Sequence, residues 1–156
     1  MKRLLLACGF VTFLATTGAS ALAVGGAFSA GVLGGLPNSA LFSFKLDHFP
    51  PVIGVGFALN QSSIRLAGTA DWWLYHKSLG GPFYIYAGLG GYVDLQTGNT
   101  SGTSIGARLP IGLQFFPLNP LELFIEIAPR AGIGLNPFSF PDWGVQGAVG
   151  FRFWLK

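Results

Sequence analysis

The chain has 156 residues, of which 51% are apolar and only 10% are charged, and it contains 24 glycines. Soluble domains carry charge on about a quarter of their residues, so this composition argues against water as the solvent for the whole surface. The formal net charge is +3, and the absence of a basic patch in the sequence argues against nucleic acid as a partner.

The first 21 residues have the features of an export signal. Lys2 and Arg3 form a basic start, residues 4–14 form an apolar core, and Ala19-Ser20-Ala21 matches an Ala-x-Ala cleavage site. We predict a signal peptide over residues 1–21, cleaved near Ala21, and one mature domain over residues 22–156. Without Lys2 and Arg3 the mature chain is close to electroneutral.

The only cysteine, Cys8, lies within this apolar core. The stretch Leu5-Leu6-Ala7-Cys8 also resembles a lipoprotein signal, which would make Cys8 a lipid anchor. The apolar core continues past Cys8, which favours an ordinary signal residue over lipidation. The mature chain then has no thiol chemistry and no disulfide.

After the signal, no apolar run reaches the roughly 20 residues that a membrane-spanning helix needs. Apolar and polar residues instead alternate with period two, which predicts strands. An apolar chain with an even number of such strands is typical of a closed membrane barrel. We predict an all-β fold, an eight-stranded antiparallel up-and-down transmembrane β-barrel. Its predicted strands are residues 24–33, 40–47, 52–60, 63–75, 83–95, 104–116, 121–133 and 142–155.

Ten charged residues fall on the polar faces of these strands, and none falls on an apolar face. A Lys or Arg facing lipid costs about 2–4 kcal/mol at mid-depth, so the polar faces are expected to line the lumen. An eight-stranded barrel is only wide enough for side chains, and buried charges must be paired. The predicted lumen charge network comprises Lys45, Asp47, Arg65, Asp71, Asp94, Arg108, Glu122, Glu126, Arg130 and Arg152.

This network has two interpretations. The structural one is a paired plug that holds the barrel together, and the functional one is a gate or a narrow polar path. We expect Glu122 and Glu126 to flank Arg152, and Arg108 to approach Glu126 or Arg130 according to the register. The lumen face is also expected to carry all four tyrosines, Tyr75, Tyr84, Tyr86 and Tyr92.

Aromatic residues near strand ends on the apolar faces predict a girdle at one membrane rim. These are Trp72, Phe83, Phe115, Phe151 and Phe153. Both chain ends of an even-stranded barrel should be periplasmic. The turns at residues 49–51, 76–82 and 117–120 are then periplasmic, and the loops at residues 34–39, 61–62, 96–103 and 135–141 face outside.

Two prolines, Pro110 and Pro129, fall within predicted strands. Proline lacks the amide hydrogen that a barrel strand donates, and a closed barrel has no edge to accommodate it. Each is expected to mark a bulge or a strand end.

Histidines are the main candidates for metal or acid–base chemistry. His48 and His76 lie at predicted turns without a cysteine or second histidine at ligand spacing, which favours solvated turn residues. Gly88, Gly90 and Gly91 lie within a strand rather than in a phosphate-binding loop. We expect no metal, no cofactor and no enzymatic activity. A lipid-modifying enzyme would need a Ser–His or similar pair at the outer rim.

The central hairpin carries a family resemblance. The segments GARLPIGL (residues 106–113) and PLELFIEIAP (residues 120–129) resemble a family of small outer-membrane β-barrel proteins of spirochaetes. That family is likened to the barrels of outer membrane protein A and of the outer membrane protein X and W types. The resemblance implies an eight-stranded surface barrel without an agreed catalytic site, and it makes Pro110 and Pro129 look like family features.

We therefore expect an integral outer-membrane protein with a side-chain-filled lumen and a structural or surface-contact role. Its expected partners are outer-membrane lipid and, through the aromatic C-terminal strand, the outer-membrane assembly machinery. One alternative is a narrow channel for small apolar molecules, which a protein of the outer membrane protein W type would imply. Another is an adhesin or binder of a host factor, whose identity the sequence does not give.

Overall fold

The computed structural model describes residues 22–32, 39–46, 49–60, 63–98 and 101–155, and the structural statements below concern these residues. The predicted signal peptide, Asp47, His48 and most of the first two predicted outer loops lie outside them. Nine strands are present: β1 (Leu22–Val32), β2 (Ser39–Leu46), β3 (Phe49–Asn60), β4 (Ser63–Gly80), β5 (Phe83–Gly98), β6 (Gly102–Arg108), β7 (Ile111–Leu118), β8 (Leu121–Asn136) and β9 (Phe138–Leu155). Within this part of the chain, no helix is long and apolar enough to cross a membrane.

The strands form a closed antiparallel ring. Consecutive strands pair with each other except β6 and β7, and β1 pairs with β9 from Leu22 opposite Leu155 to Val32 opposite Val145. Strands β6 and β7 occupy one position between β5 and β8, because both pair with β5 and both pair with β8. The ring therefore has eight positions, which confirms the predicted fold class.

The two prolines do not shift the register. Strand β6 ends before Leu109-Pro110 and β7 begins after it, yet the pairing with β5 keeps one offset, with Gly90 opposite Arg108 and Ala87 opposite Ile111. The amide of Gly88 donates to the carbonyl of Pro110 at 2.9 Å. Pro110 thus interrupts the hydrogen-bond ladder and ends a strand segment without forming a bulge.

Pro129 lies within β8, where it pairs with Val145 of β9 in unbroken register. Its carbonyl accepts a hydrogen bond of 2.9 Å from the amide of Leu109. The prediction that each proline marks a bulge or a strand end is therefore wrong for Pro129. A proline in a strand loses only its own donor, while its carbonyl remains available to the neighbouring strand.

We refer to the end of the barrel where Leu22 pairs with Leu155 as the terminal end and to the opposite one as the distal end. Several predicted connections are shorter than expected, and residues 96–98, 102–103 and 117–118 also belong to strands. Phe49-Pro50-Pro51 begins β3 rather than forming a turn, since proline is tolerated at the first residues of a strand. Residues 76–80 continue β4, and the turn that follows uses Gly81 at a φ of 55°. The outer loop predicted at residues 135–141 shrinks to Pro137, because β8 ends at Asn136 and β9 begins at Phe138.

A bulge in β4 changes which side chains face inward. The register with β5 shifts between Trp73, opposite Gly88, and Tyr75, opposite Ala87, so that Leu74 is the extra residue. Tyr75 consequently lies on the outer face, and the prediction of four lumen tyrosines is wrong at this position. An extra residue breaks the period of two, so alternation counted along the sequence assigns the wrong face after it.

The two faces of the barrel wall have opposite chemistry. Large apolar side chains are exposed on the outside, while charged and amide side chains are buried inside. Representative exposed residues are Val55, Leu66, Leu89, Ile105 and Ile125, and representative buried ones are Asp71, Asp94, Glu122, Arg130 and Arg152. This is the reverse of a water-soluble domain, and it concentrates the polar chemistry in the interior.

Candidate functional site

The interior polar cluster is the candidate site. Nine of the ten charges predicted for the lumen lie in described strands, at alternating positions of the inward face, and Asp47 lies outside the described residues. Eight of them take part in ion pairs within the interior. Lys45 is placed differently: its ammonium donates to the carbonyls of Phe49 and Pro50, each at 3.1 Å, at the terminal end.

The central layer of the cluster is built around Arg108. Its Nε lies 3.1 Å from Asp71 Oδ1, its Nη2 pairs with Glu126 Oε1, and its Nη1 donates to Gln146 Oε1 at 2.9 Å. These partners come from β4, β8 and β9, so one guanidinium from β6 joins four strands across the lumen. The Tyr86 hydroxyl donates to the other oxygen of Glu126 at 2.7 Å.

A second layer lies nearer the terminal end and is centred on Glu122, whose side chain is 0% exposed. Its Oε1 accepts from Arg152 Nη1 and from Gln114 Nε2, the latter at 2.8 Å. Its Oε2 accepts from the indole of Trp154 at 2.6 Å. A fully buried carboxylate with three donors is satisfied both in charge and in hydrogen bonding.

The Arg152 guanidinium also has apolar surroundings. Its Cζ lies 3.8 Å from the ring centroid of Phe124 and 5.6 Å from that of Trp73, and its Nε donates to Ser43 Oγ at 2.9 Å. Contacts of a guanidinium with aromatic faces are favourable when both are desolvated. The interior is therefore packed as well as paired.

His76 contacts this layer from within β4 and not from the predicted turn, while its side chain is exposed, as expected for a solvated residue. The Leu74 bulge places it opposite Tyr86 on the inward face of β4. Its Nε2 lies 2.8 Å from Gln114 Oε1, and its ring stacks on Tyr84 with centroids 5.3 Å apart. Because the Gln114 amide nitrogen is used by Glu122, the geometry makes Nε2 the protonated nitrogen that donates to Gln114.

Two further ion pairs lie toward the distal end. Arg65 Nε lies 2.8 Å from both carboxylate oxygens of Asp94, and its Nη2 also donates to Oδ2. Arg130 Nη1 lies 3.6 Å from Asp142 Oδ2, and its Cζ lies 4.8 Å from the centroid of the Tyr92 ring. Successive layers of ion pairs thus extend over most of the length of the lumen.

Several participants were not singled out from the sequence. They are Asp142, the uncharged partners Gln114, Gln146 and Ser43, and the bulge-directed His76. The first four lie an even number of positions from an inward charged residue on the same predicted strand, so the period-two alternation was a sufficient signal for them. Asp142 was overlooked although it begins the predicted strand over residues 142–155 and faces the same way as Gln146 and Arg152, and His76 required knowledge of the bulge.

Two cavities lie next to the charged side chains of the described interior. A cavity of about 20 Å³ lies between Arg108, Glu126, Thr69 and Gln146, which holds about one water molecule. A larger cavity of about 170 Å³ lies at the distal end, next to Arg65, Asp94 and Asp142. No group of three or more His, Cys, Asp or Glu side chains in the described strands is arranged to hold a metal ion.

The predicted aromatic girdle is on the outer face. Trp72, Phe83, Phe151 and Phe153 are exposed there, and Phe83 stacks on Phe115 with centroids 4.9 Å apart. The structure adds aromatic residues near the distal end of β9, where Phe138, Phe140 and Trp143 are exposed. The first two were assigned to a loop in the sequence interpretation.

Two solved structures resemble this fold. Neisserial surface protein A matches with a TM-score of 0.53 and 12% identity, over 87% of this chain and 96% of its own. The N-terminal β-barrel domain of Pseudomonas aeruginosa OprF matches with a TM-score of 0.52 and 11% identity, over 86% of this chain and 97% of its own. These likenesses show the fold, that of small eight-stranded outer-membrane β-barrels. No protein-family profile and no curated protein sequence matches the chain.

Proposed function

We propose that this protein is an integral outer-membrane barrel whose filled lumen closes it to solutes, with a structural or surface-contact role and no enzymatic activity. The lipid of that membrane would cover the apolar outer face. The proposal includes export by the signal peptide over residues 1–21 and insertion by the assembly machinery through β9. Membership of the family of small outer-membrane β-barrel proteins of spirochaetes remains a prediction.

The outer face supports the membrane placement. Large apolar side chains such as Leu66, Ile127 and Val149 are about half exposed along the wall. In water, exposing so much contiguous apolar surface would favour aggregation. In a bilayer the same surface faces hydrocarbon, while the closed ring satisfies the backbone groups internally.

The observation that carries the filled-lumen role is the span of the Arg108 contacts. Arg108 on β6 reaches Asp71 on β4, Glu126 on β8 and Gln146 on β9. Ion pairs across the lumen at this level occupy the path that a solute would take. The cavity beside them holds about one water molecule. A channel for small apolar molecules, the first alternative, would need both a wider and a less polar path.

Conductance in planar bilayers tests this proposal. We expect the wild-type barrel to show no reproducible single-channel steps above ion leakage. A variant with Arg108→Ala, Glu126→Ala and Tyr86→Ala removes the central layer and is the positive control for insertion, because its emptied lumen should conduct. Reproducible channels in the wild type would overturn the filled-lumen role and favour transport.

A matched control keeps the interior intact. Ile111→Ala, Ile125→Ala and Ile127→Ala remove three exposed side chains from the outer face at a similar height of the wall. This variant should remain as silent as the wild type. Single-channel steps in both the isoleucine variant and the interior variant would show that leakage through a loosened wall, and not the lumen, carries the current.

A further inference from the structure

The cavity of about 170 Å³ at the distal end has no role in the filled-lumen proposal. It lies where the interior opens away from the chain termini, and strands β4, β5, β6, β8 and β9 contribute to its wall. The ion pairs of Arg65 and Arg108 lie at and below its base, so a solute that enters from the distal side cannot pass through. The geometry is that of a cup rather than of a channel entrance.

The charged groups of the cup are neutralised by the barrel itself. Arg65 holds both oxygens of Asp94, and Asp142 lies 3.6 Å from the buried guanidinium of Arg130. A cation would have to compete with arginine for each carboxylate, and an anion would meet two carboxylates in the wall. Neither ionic ligand gains from the site, so an uncharged ligand fits it better.

The rest of the lining is rich in groups that both donate and accept hydrogen bonds. Ser104 and Ser139 contribute hydroxyls, and Gln96 and Asn136 contribute amides. Hydroxyls and amides offer both roles, and carboxylates held in place by arginine offer fixed acceptors. A ligand bearing several adjacent hydroxyls matches such an alternation of donors and acceptors.

We propose that the distal cup binds an uncharged, hydroxyl-rich solute of about the size of one sugar ring, either free or as the terminal unit of a glycan. Pockets for drug-sized ligands enclose about 300–1,000 Å³, and this cup of about 170 Å³ suits a smaller molecule. A ligand of that size with polar contacts alone binds with a dissociation constant on the order of millimolar. This inference goes beyond the filled-lumen role, and only the closed base of the cup rests on that role.

The test is saturation-transfer NMR on the barrel folded in a phosphocholine detergent, because sugar-headgroup detergents would compete. The probes are the methyl glycosides of glucose, galactose and mannose at millimolar concentration, with citrate and calcium chloride as ionic probes. We expect saturation transfer to at least one glycoside, undiminished by calcium. Transfer to citrate alone, displacement of the glycoside by calcium, or transfer to no glycoside would overturn the proposal.

Two substitutions on β6 locate the signal. Ser104 lies beside Asp94 in the register with β5 and lines the cup, so Ser104→Leu should fill it and weaken binding by about tenfold or more. Ala107→Leu adds the same side chain on the outer face of the same strand and should leave the signal unchanged. Equal signals in both variants would overturn the assignment to the cup.

A second inward variant keeps the test decisive if Ser104→Leu does not fold. Ser139 lies opposite Gly134 and lines the cup, and Ser139→Ala removes its hydroxyl from the lining, so this variant should weaken glycoside binding without closing the cup. A separate measurement, on the barrel in vesicles that carry a glycoside attached to a lipid, distinguishes a sugar headgroup of the same membrane from a free sugar or an external glycan. Displacement of the free glycoside by the lipid-attached one indicates the headgroup, and failure to displace it indicates a free sugar or an external glycan.

Discussion

Arg108 of β6 lies directly opposite Arg130 of β8 in the register of the barrel, and both point inward. Like charges at directly opposed positions of a sheet repel each other. The two side chains make separate contacts: Arg108 pairs with Asp71 and Glu126, while Arg130 approaches Asp142. The pairing of Arg108 with Asp71 is therefore set by reach beyond the neighbouring strand, whereas Arg152 pairs with its directly opposed neighbour Glu122.

The ion pair between Arg108 and Glu126 should couple energetically. Both side chains are at least nine-tenths buried, and removing one partner of a buried pair costs about 3–5 kcal/mol because the other charge is left uncompensated. We expect Glu126→Ala and Arg108→Ala each to lower the free energy of unfolding by about this amount. In the double variant the loss should be smaller than the sum of the two by about 0.5–3 kcal/mol.

Urea unfolding of the barrel in phospholipid vesicles, followed by tryptophan fluorescence, measures this cycle. The matched control pairs Glu126→Ala with Arg65→Ala, since Arg65 contacts Asp94 and shares no described partner with Glu126. That second pair should be additive. Additive losses for Arg108 and Glu126 as well would rule out the pairing.

The bulge at Leu74 predicts opposite environments for two adjacent residues. Tyr75 lies opposite Ala87 on the outer face, while His76 lies opposite Tyr86 on the inner one, near the opening at the terminal end. Spin labels on Tyr75→Cys and His76→Cys should differ in relaxation by oxygen, which partitions into lipid, and by a water-soluble nickel complex. The label at 75 should respond to oxygen and the label at 76 to nickel.

Ser101→Cys, at an exposed position between β5 and β6, and Leu66→Cys supply the reference labels for water and for the outer wall. If β4 had no bulge, the expected responses would be reversed, because regular alternation from Trp73 would turn residue 75 inward and residue 76 outward. A nickel response at 75 together with an oxygen response at 76 would therefore remove the bulge.

The sequence was sufficient for the fold because the physics that determines it is local. Alternation with period two identified every position of the ring, and the confinement of charge to one face showed which side is polar. Strand ends were less predictable. Residues 76–80 and 135–136 extend hairpins beyond the hydrophobic pattern, because the antiparallel pairing with the facing strands continues through them.

The candidate site was less accessible to sequence reasoning. The period-two alternation places Arg108 inside. The choice of Glu126 and Asp71 as its partners, however, depends on how far the side chains reach within the lumen. The inward position of His76 depends on one extra residue in β4, for which the sequence carries no evident signal. The distal cup depends on where small side chains from five strands meet.

Replacing Pro110 should have little net effect on stability. Pro110→Ala supplies an amide hydrogen toward β5 at a position already in register, which is worth about 0.5–1.5 kcal/mol. The same change gives the unfolded chain more freedom, which costs about 0.4–1 kcal/mol. We expect the free energy of unfolding in vesicles to stay within about 1 kcal/mol of the wild type. A loss of several kcal/mol would show that the proline ring itself is needed in the buried interior.

The depth of the outer wall in the membrane gives the most direct test of its lipid contact. Ile127 is 56% exposed near the middle of β8, whereas Leu121 begins the same strand at the terminal end. Ile127→Arg should lower the free energy of unfolding in phospholipid vesicles by about 2–4 kcal/mol, and Leu121→Arg by about 0–1 kcal/mol, because an arginine near the interface reaches water. Losses of equal size at the two positions would contradict a hydrocarbon layer around the middle of the barrel.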